Sequence, residues 1–292
     1  MARQGDKVAG LRIWLVLLAA AVLTTGCANP VERMRERVFR LGDTRLKTVL
    51  QQSLAVSGGI EAWGRLETID GEAIATVYER EGGKALIEQQ CQFTPGKKNV
   101  AVSLLSHEPG GVLTEVLDRK GNPHIYLQGQ AKERYESDPE KLYGAAIKLR
   151  VLAHAMMGPA GLLAEELSLR YAGQERKGGR LMHKIEVTGE LLPAASDDGY
   201  TSGNLLAVWI DGQTHQIRRI WLRYYKHDTT FGYVALDIGE YEKVPGGLML
   251  PRYIAYAHSD RHQQFSQQQI MTIEIQNLQA ELRGKDWKWF FE

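Results

Sequence analysis

Cysteine is scarce in this chain of 292 residues, which contains only Cys27 and Cys91. With Cys27 assigned to the export signal described below, Cys91 has no partner within the chain. The exported domain must therefore fold without a disulfide. Cys91 lies in the strand-like run LIEQQCQF, so we expect a small buried core residue, with a reactive thiol as the alternative.

An excess of charge is also missing, because 36 Lys and Arg residues face 35 Asp and Glu residues. A near-neutral protein has no electrostatic reason to bind nucleic acid. The sequence contains no HExxH, no CxxC, no Gly-x-Ser-x-Gly and no phosphate loop. We therefore expect no catalysis, no cofactor and no metal. A hydrolase built from dispersed Ser, His and Asp residues stays open, because spacing cannot reveal such a triad.

Long apolar runs are absent too, and the longest run is too short to cross a bilayer as a helix. Ile13 to Leu23 is eleven residues, whereas a membrane-spanning helix needs about 20. The run has the length of a signal-peptide core, and Arg3, Lys7 and Arg12 precede it. The N-terminus is therefore typical of an export signal.

The apolar run is followed by Thr24-Thr25-Gly26-Cys27, and this small residue before a cysteine resembles the bacterial lipobox. The resemblance implies that residues 1–26 are cleaved and that Cys27 carries acyl chains such as palmitate. More than one chain gives stable membrane anchoring. Ala28, in place of Asp, points by the same resemblance to the outer membrane. The alternative is an ordinary cleaved signal with an incidental cysteine.

After the signal, the chain has helical periodicity first and strand periodicity next, and a second helical segment is again followed by strands. Residues 27–43 are expected to form a lipid-anchored tether or the start of an N-terminal helix, and residues 44–292 a single domain. Alternating runs predict roughly a dozen strands. A helical insertion over 138–167 interrupts them, with a first helix that Gly158-Pro159 ends and a second over 161–167.

Both faces of the predicted sheet are partly apolar. In the strand from Ile220, one face carries Leu222 and Tyr224, and the other carries Trp221 and Tyr225. An antiparallel sheet with one wet face should alternate more cleanly. Helices covering one face, a neighbour covering the other, or an enclosed apolar cavity would each explain the pattern.

The order of these features, together with the motifs WIDGQTHQIRRI and VPGGLMLPRY, resembles the superfamily of outer-membrane lipoprotein carriers and receptors and related envelope lipid carriers. The resemblance covers nearly all of residues 44–285. It implies a mainly β fold with helices (α+β): a strongly curved antiparallel half-barrel of roughly 11–12 strands over a helical lid, preceded by an N-terminal helix. An apolar cavity between sheet and lid would hold acyl chains.

By this resemblance the protein is a periplasm-facing lipoprotein of the outer membrane that carries a lipid or an acylated protein without catalysis. The alternative is a structural or sensory envelope lipoprotein that binds a protein partner and no lipid. The lid residues expected to face the cavity are Leu142, Leu149, Leu152, Met156 and Met157. The candidates for its wall are Trp209, Trp221, Tyr224 and Leu236.

The C-terminal segment Asp286 to Glu292 contains four aromatic residues. They could lie at a membrane interface or pack back on the edge of the sheet.

Overall fold

The computed structural model describes residues 29–78, 84–94, 100–108, 111–118, 121–128, 134–189, 203–226 and 229–283. The predicted signal peptide, Cys27 and the aromatic C-terminal segment lie outside these residues. Within them, no helix is both long and apolar enough to cross a membrane.

Three helices precede the sheet: α1 (Pro30–Arg40), α2 (Thr44–Val56) and α3 (Gly59–Arg65). The side chain of Asp43 caps α2 by accepting hydrogen bonds from the backbone N–H groups of Arg45 (2.8 Å) and Leu46 (3.0 Å). Although α1 is rich in charge, its Val31 and Val38 are buried. The helix therefore packs on the body of the protein instead of forming a solvated tether.

The remaining elements are thirteen strands and a helical insertion. The sheet is entirely antiparallel, in the order β6-β5-β4-β3-β2-β1-β13-β12-β11-β10-β9-β8-β7, so two meanders meet where β1 pairs with β13. The strands are β1 (Leu66–Tyr78), β2 (Lys84–Phe93), β3 (Val100–Glu108), β4 (Gly111–Asp118), β5 (Pro123–Gln128), β6 (Arg134–Tyr135), β7 (Ser168–Lys177), β8 (Arg180–Thr188), β9 (Gly203–Asp211), β10 (Ile217–Lys226), β11 (Thr229–Lys243), β12 (Met249–Ser259) and β13 (Phe265–Leu282).

The helical insertion connects the two edge strands, β6 and β7. Helix α4 (Pro139–Met156) contacts β3, β4 and β5 on one half of the sheet and β11 and β12 on the other. Because one helix touches strands that are far apart in the sheet order, the sheet bends around it. The sheet is open, with α4 against one face, which we call the inner face.

The end of α4 differs in detail from the sequence prediction. Gly158 has φ = +51°, a left-handed conformation that ends the helix. Pro159 then lies in the first turn of a short helix, α5 (Gly158–Gly161), because proline needs no backbone donor there. The second helix therefore lies over 158–161, whereas the sequence predicted it over 161–167.

Each of the two motifs quoted above contains a turn that connects consecutive strands. Asp211 accepts hydrogen bonds from the N–H groups of Gln213 and Thr214, both at 2.8 Å, and so closes the β9–β10 connection. Burial alone would raise the pKa of Asp211, but these bonds and the nearby Arg180 outweigh it and lower the pKa. In the β11–β12 turn, the N–H of Val244 donates to the carbonyl of Leu248 (2.9 Å).

The core lies between the inner face of the sheet and α4. Residues 149–156 of α4 are all buried, so the C-terminal half of this helix is enclosed on every side. A helix that is surrounded in this way forms the centre of a core and has no solvent-facing stripe. The N-terminal half of α4 is different, because Lys141 and Gly144 are exposed.

Candidate ligand-binding cavity

A cavity of about 720 Å³ lies between the N-terminal half of α4 and the inner face of the sheet. Its volume falls in the range of about 300–1,000 Å³ that small-molecule sites occupy. The apolar lining consists of Val77, Ile87, Leu113, Ile125, Tyr256, Ile270 and Met271 from the sheet and Gly144, Ala145 and Ile147 from α4. An engineered cavity of about 150 Å³ holds one benzene, so this one has room for roughly thirty carbon atoms at that density.

Strand register brings the sheet side of this wall together. Met271 of β13 pairs with Val77 of β1 on one side and with Tyr256 of β12 on the other. Side chains of directly paired residues point to the same face of a sheet. The three residues therefore form one row across the centre of the inner face.

Gly144 lines the cavity from the helix side. A Cβ built on this residue would meet no heavy atom within 4 Å. Glycine in a helix interior costs about 0.5–1 kcal/mol relative to alanine. Here it leaves open space at the exposed end of the cavity, where it is one of the lining residues.

A polar cluster interrupts the apolar wall. The side chains of Glu115 and Lys148 are only 10% and 18% exposed, and the Lys148 ammonium donates a hydrogen bond to the Glu115 carboxylate. The Gln89 amide donates to the same carboxylate at 3.0 Å. Because a desolvated charge pair needs further hydrogen bonds, Gln89 is part of what makes this pair tolerable beside an apolar cavity.

A second ion pair joins Lys141 and Glu136 at 2.8 Å near the exposed start of α4. This hydrogen bond raises the pKa of Lys141 and lowers that of Glu136, where the N–H groups of Asp138 and Ser137 also donate. The four charged residues of the wall therefore cancel in pairs. The cavity carries no net charge that would favour one sign of ligand.

Ser106 places a further hydroxyl on the inner face. It pairs with Leu113, which lines the cavity, and the residue is only 5% exposed. Among the described residues, its Oγ has no hydrogen-bond partner. A buried hydroxyl without a partner is uncommon in native structures.

The lid residues predicted from sequence lie deeper than the cavity. Leu149, Leu152 and Met156 are at most 1% exposed and pack within the main core, while Leu142 and Met157 are half-buried against it. None of the five lines the cavity. The lining of α4 comes from an earlier stretch of the helix, because its C-terminal half is already filled by neighbouring side chains.

The predicted wall residues divide between the two faces of the sheet. Leu236 is fully buried in the main core on the inner face. Trp209 and Trp221 lie on the opposite, outer face, in a second cluster with Met182 and Ala207, and this differs from the expectation that they line the cavity. For Tyr224 the structure describes only the backbone, which pairs with Gly232 of β11.

Sequence reasoning missed Gly144, Glu115 and Lys148. Two signals for them were present. A glycine occurs inside a helical pattern, where it usually has a packing or functional reason. A lysine at 148 also interrupts the run of alanine, isoleucine and leucine residues around it.

Two further kinds of candidate chemistry are a reactive thiol at Cys91 and the binding of a metal ion. Cys91 is confirmed as a core residue, since it is 6% exposed, and burial, with the charge of Asp70 adding, raises the pKa of its thiol to about 12. Within the described ranges, no group of three or more His, Cys, Asp and Glu residues could hold a metal ion.

Comparison with solved structures gives similar folds at low identity. A DUF1329 family protein from Desulfovibrio piger is 15% identical with a TM-score of 0.48, over 82% of this chain and 95% of that one. A LolA superfamily protein from Nitrosomonas europaea is 9% identical with a TM-score of 0.46, over 82% and 93%. A putative outer membrane lipoprotein-sorting protein domain from Vibrio parahaemolyticus is 11% identical with a TM-score of 0.45, over the same shares.

Neither a protein-family model nor a curated protein sequence matches the chain. With TM-scores below 0.5, the structural likenesses concern the fold alone. Two of these structures are named for the LolA superfamily and for outer membrane lipoprotein sorting.

Proposed function

We propose that the protein is a lipid-anchored protein of the bacterial cell envelope, at the outer membrane and facing the periplasm, that binds a lipid or an acylated ligand. In this proposal the sheet acts as an incomplete barrel with α4 as its lid, and the ligand is carried without catalysis. The observation that carries the proposal is the apolar cavity of about 720 Å³ under Gly144 and Ala145.

The walls suit reversible binding of an acyl chain. Burying a methylene group stabilises a complex by about 0.8 kcal/mol, so about fourteen methylenes contribute about 11 kcal/mol. Association costs at least about 4 kcal/mol in lost freedom, which leaves about 7 kcal/mol. That corresponds to a dissociation constant on the order of 10 μM, weak enough for a carrier to release its ligand.

The polar cluster gives the ligand a second point of contact. The ammonium of Lys148 belongs to the lining of the cavity, where a carbonyl or hydroxyl of the ligand would find a partner. Ser106 is next to this lining, since it pairs with Leu113. Because the charges of the wall cancel, the length and shape of the chain would decide affinity more than the charge of its head.

Two variants of one residue test the proposal. Gly144→Phe should fill the cavity, whereas Gly144→Ala adds no more than a methyl group and serves as the matched control. Both changes should favour the helix over glycine by up to about 1 kcal/mol, so neither should unfold the protein.

The full chain would be expressed in a bacterium with export to the periplasm, purified gently and weighed by native and by denaturing mass spectrometry. The wild type and Gly144→Ala should carry an acyl lipid that is lost on denaturation, and Gly144→Phe should carry at least ten-fold less. A wild type without ligand in several lipid-rich preparations, or equal loading of Gly144→Phe, would contradict the proposal.

The predicted anchor has its own readout in the same experiment. Denaturing mass spectrometry of the wild type should retain a covalent lipid mass at Cys27. Cys27→Ser should lose this mass and be released from membranes. A chain that stays membrane-bound with unchanged mass would show that the lipobox prediction is wrong.

A second function is favoured by a different observation. Leu149, Leu152 and Met156 fill the centre of the fold with the protein's own side chains. A structural or sensory envelope protein that recognises a protein partner needs such an interior and no lipid. A clean ligand-free mass in the experiment above would favour this function.

A further inference from the structure

A second cavity, of about 270 Å³, lies on the outer face of the sheet, away from α4. Its floor includes Trp209, which is fully buried, and Met182. Four cations and one carboxylate line it: Lys177, Arg180, Arg218, Arg219 and Asp237. We call this group the cationic cavity.

A tight turn places two of the cations. Gly178 and Gly179 have φ of +56° and +78°, and they connect β7 to β8 so that Lys177 pairs with Arg180. A two-residue turn with positive φ at both positions matches the twist of a hairpin and fixes which residues of the two strands are paired. Lys177 and Arg180 therefore stand side by side at one end of the hairpin.

A bulge places the other two. The pairing of β10 with β9 shifts between Ile217 and Arg219, which leaves Arg218 as an extra residue in the strand. Bulges re-aim a side chain that would otherwise point to the other face. As a result, the consecutive residues Arg218 and Arg219 line the same cavity.

Three of the four cations already have carboxylate partners. Arg219 and Asp237 make a two-pronged pair, with Arg219 Nη2 at 2.6 Å from Asp237 Oδ2. The other two pairs are Lys177 with Glu175 at 3.4 Å and Arg180 with Asp211 at 3.3 Å. Counted over the part of the chain that the structure describes, the four cations face three carboxylates, which leaves one positive charge in excess.

Arg218 carries this excess. Its Nη2 donates to the side-chain oxygen of Gln216 at 2.8 Å, and its guanidinium lies 5.5 Å from the ring centre of Tyr241. Among the described residues it has no carboxylate partner, and its buried Nε has no acceptor. The guanidinium of Arg218 is therefore held in place by its neighbours while its positive charge is not neutralised by a carboxylate among the described residues.

The surroundings of Lys177 show the same excess. Its ammonium lies 4.7 Å from the ring centre of Trp209, and that of Lys184 lies 5.4 Å from the same ring. Burial lowers the pKa of Lys177, and the charges of Arg219 and Lys184 add to this despite the opposing effect of Glu175. An added negative charge would relieve this crowding of cations.

We propose that the cationic cavity binds the phosphate group of a small ligand or of a lipid head group, with Arg218 as its main contact. Arginine is suited to this role, because its planar fork matches phosphate oxygens. The volume of about 270 Å³ is below the usual size of a drug-sized site and fits one small anionic group. The site lies on the opposite face of the sheet from the acyl cavity, so it stands or falls independently of the proposed function.

Isothermal titration calorimetry of the full chain with inorganic phosphate, at fixed chloride concentration, tests the site. Arg218→Gln should weaken the dissociation constant at least ten-fold. The matched control is Arg252→Gln, since Arg252 is also on a strand but is exposed and paired with Glu242 at 3.3 Å. It should change the constant less than two-fold. Lys177→Gln, which should weaken binding several-fold, replaces Arg218→Gln if that variant fails to fold.

A second titration identifies the source of the phosphate. Soluble dihexanoyl phosphatidic acid, below its micelle concentration, is compared with inorganic phosphate in the Gly144→Phe background, where the acyl cavity is filled. Ten-fold tighter binding of the lipid, lost with Arg218→Gln, would assign a lipid head group. Equal binding of the two would assign a free phosphate. Binding of neither, or binding that Arg218→Gln leaves unchanged, would overturn the proposal.

Discussion

The buried His154 makes stability depend on pH in a way that can be calculated. It lies in the enclosed half of α4, is 3% exposed, and its Nδ1 is 2.7 Å from the carbonyl oxygen of Arg150. Among the described residues, its Nε2 has no hydrogen-bond partner. Burial lowers the pKa of His154 from 6.5 to about 4; the hydrogen bond to Arg150 opposes this and the charge of Arg150 adds to it.

The sign follows from which state binds the proton. His154 stays neutral in the folded protein until about pH 4, while in the unfolded chain it is protonated from about pH 6.5 downward. Its favourable contribution to stability is therefore complete above pH 6.5 and is lost as the pH falls from 6.5 to 4. The full difference is about 3 kcal/mol, of which about 2 kcal/mol is lost between pH 7 and pH 5.

Replacing the imidazole by an amide removes this titration. We expect the wild type to lose about 2 kcal/mol more than His154→Gln between pH 7 and pH 5, whatever the variant costs at pH 7. Urea unfolding at the two pH values measures both free energies. His262→Gln is the control, because His262 is exposed, so this variant should follow the wild type.

The comparison is decisive because carboxylates and the other histidines titrate equally in both proteins. If wild type and His154→Gln lost the same free energy over this range, the imidazole would be solvated or protonated in the folded state. The enclosure of the C-terminal half of α4 would then be wrong.

Three further changes test the core and the charged cluster. In Cys27→Ser protein, the Cys91 thiol should not react with a disulfide reagent at pH 8 until denaturant is added, since its pKa is about 12; rapid labelling of the folded protein would contradict its burial. Gly189→Ala should lower the free energy of unfolding by at least about 2 kcal/mol, because φ is +111° and the new Cβ would lie 2.1 Å from the Glu166 carbonyl oxygen; a thermal melt like that of the wild type would refute this. Glu115→Gln should cost about 3 kcal/mol by leaving the Lys148 ammonium without its partner, and adding Lys148→Met should restore much of it; additive losses in urea unfolding would show that the pair is not coupled.

Much of the fold was predictable from local patterns. The change of period from helical to alternating and the start of the helical insertion near residue 138 correspond to the observed elements. Helix α3 was missed because seven residues give too short a pattern, and because Gly58 precedes it and Gly59 is its first residue. The packing of α1 was missed because a charged segment hides the two valines that it buries.

The cavity was less predictable, because periodicity describes the faces of an element without stating what each face meets. A helix that is enclosed on all sides has no distinctive stripe, so Leu149 and Leu152 could not be separated from residues that face a void. Trp209 shows the same problem in the sheet. It is fully buried on the outer face, where the ammonium groups of Lys177 and Lys184 lie over its ring.

The connection between the edge strands explains why one helix serves both stability and binding. Because the chain crosses from β6 to β7 through the interior, α4 must enter the open side of the curved sheet and end within its core. The last turns of α4 fill that core. Its first turns, which carry the small residues Gly144 and Ala145, line the cavity. Changes over residues 149–156 should therefore act on stability, whereas changes at 144 and 145 should act on ligand binding with the fold intact.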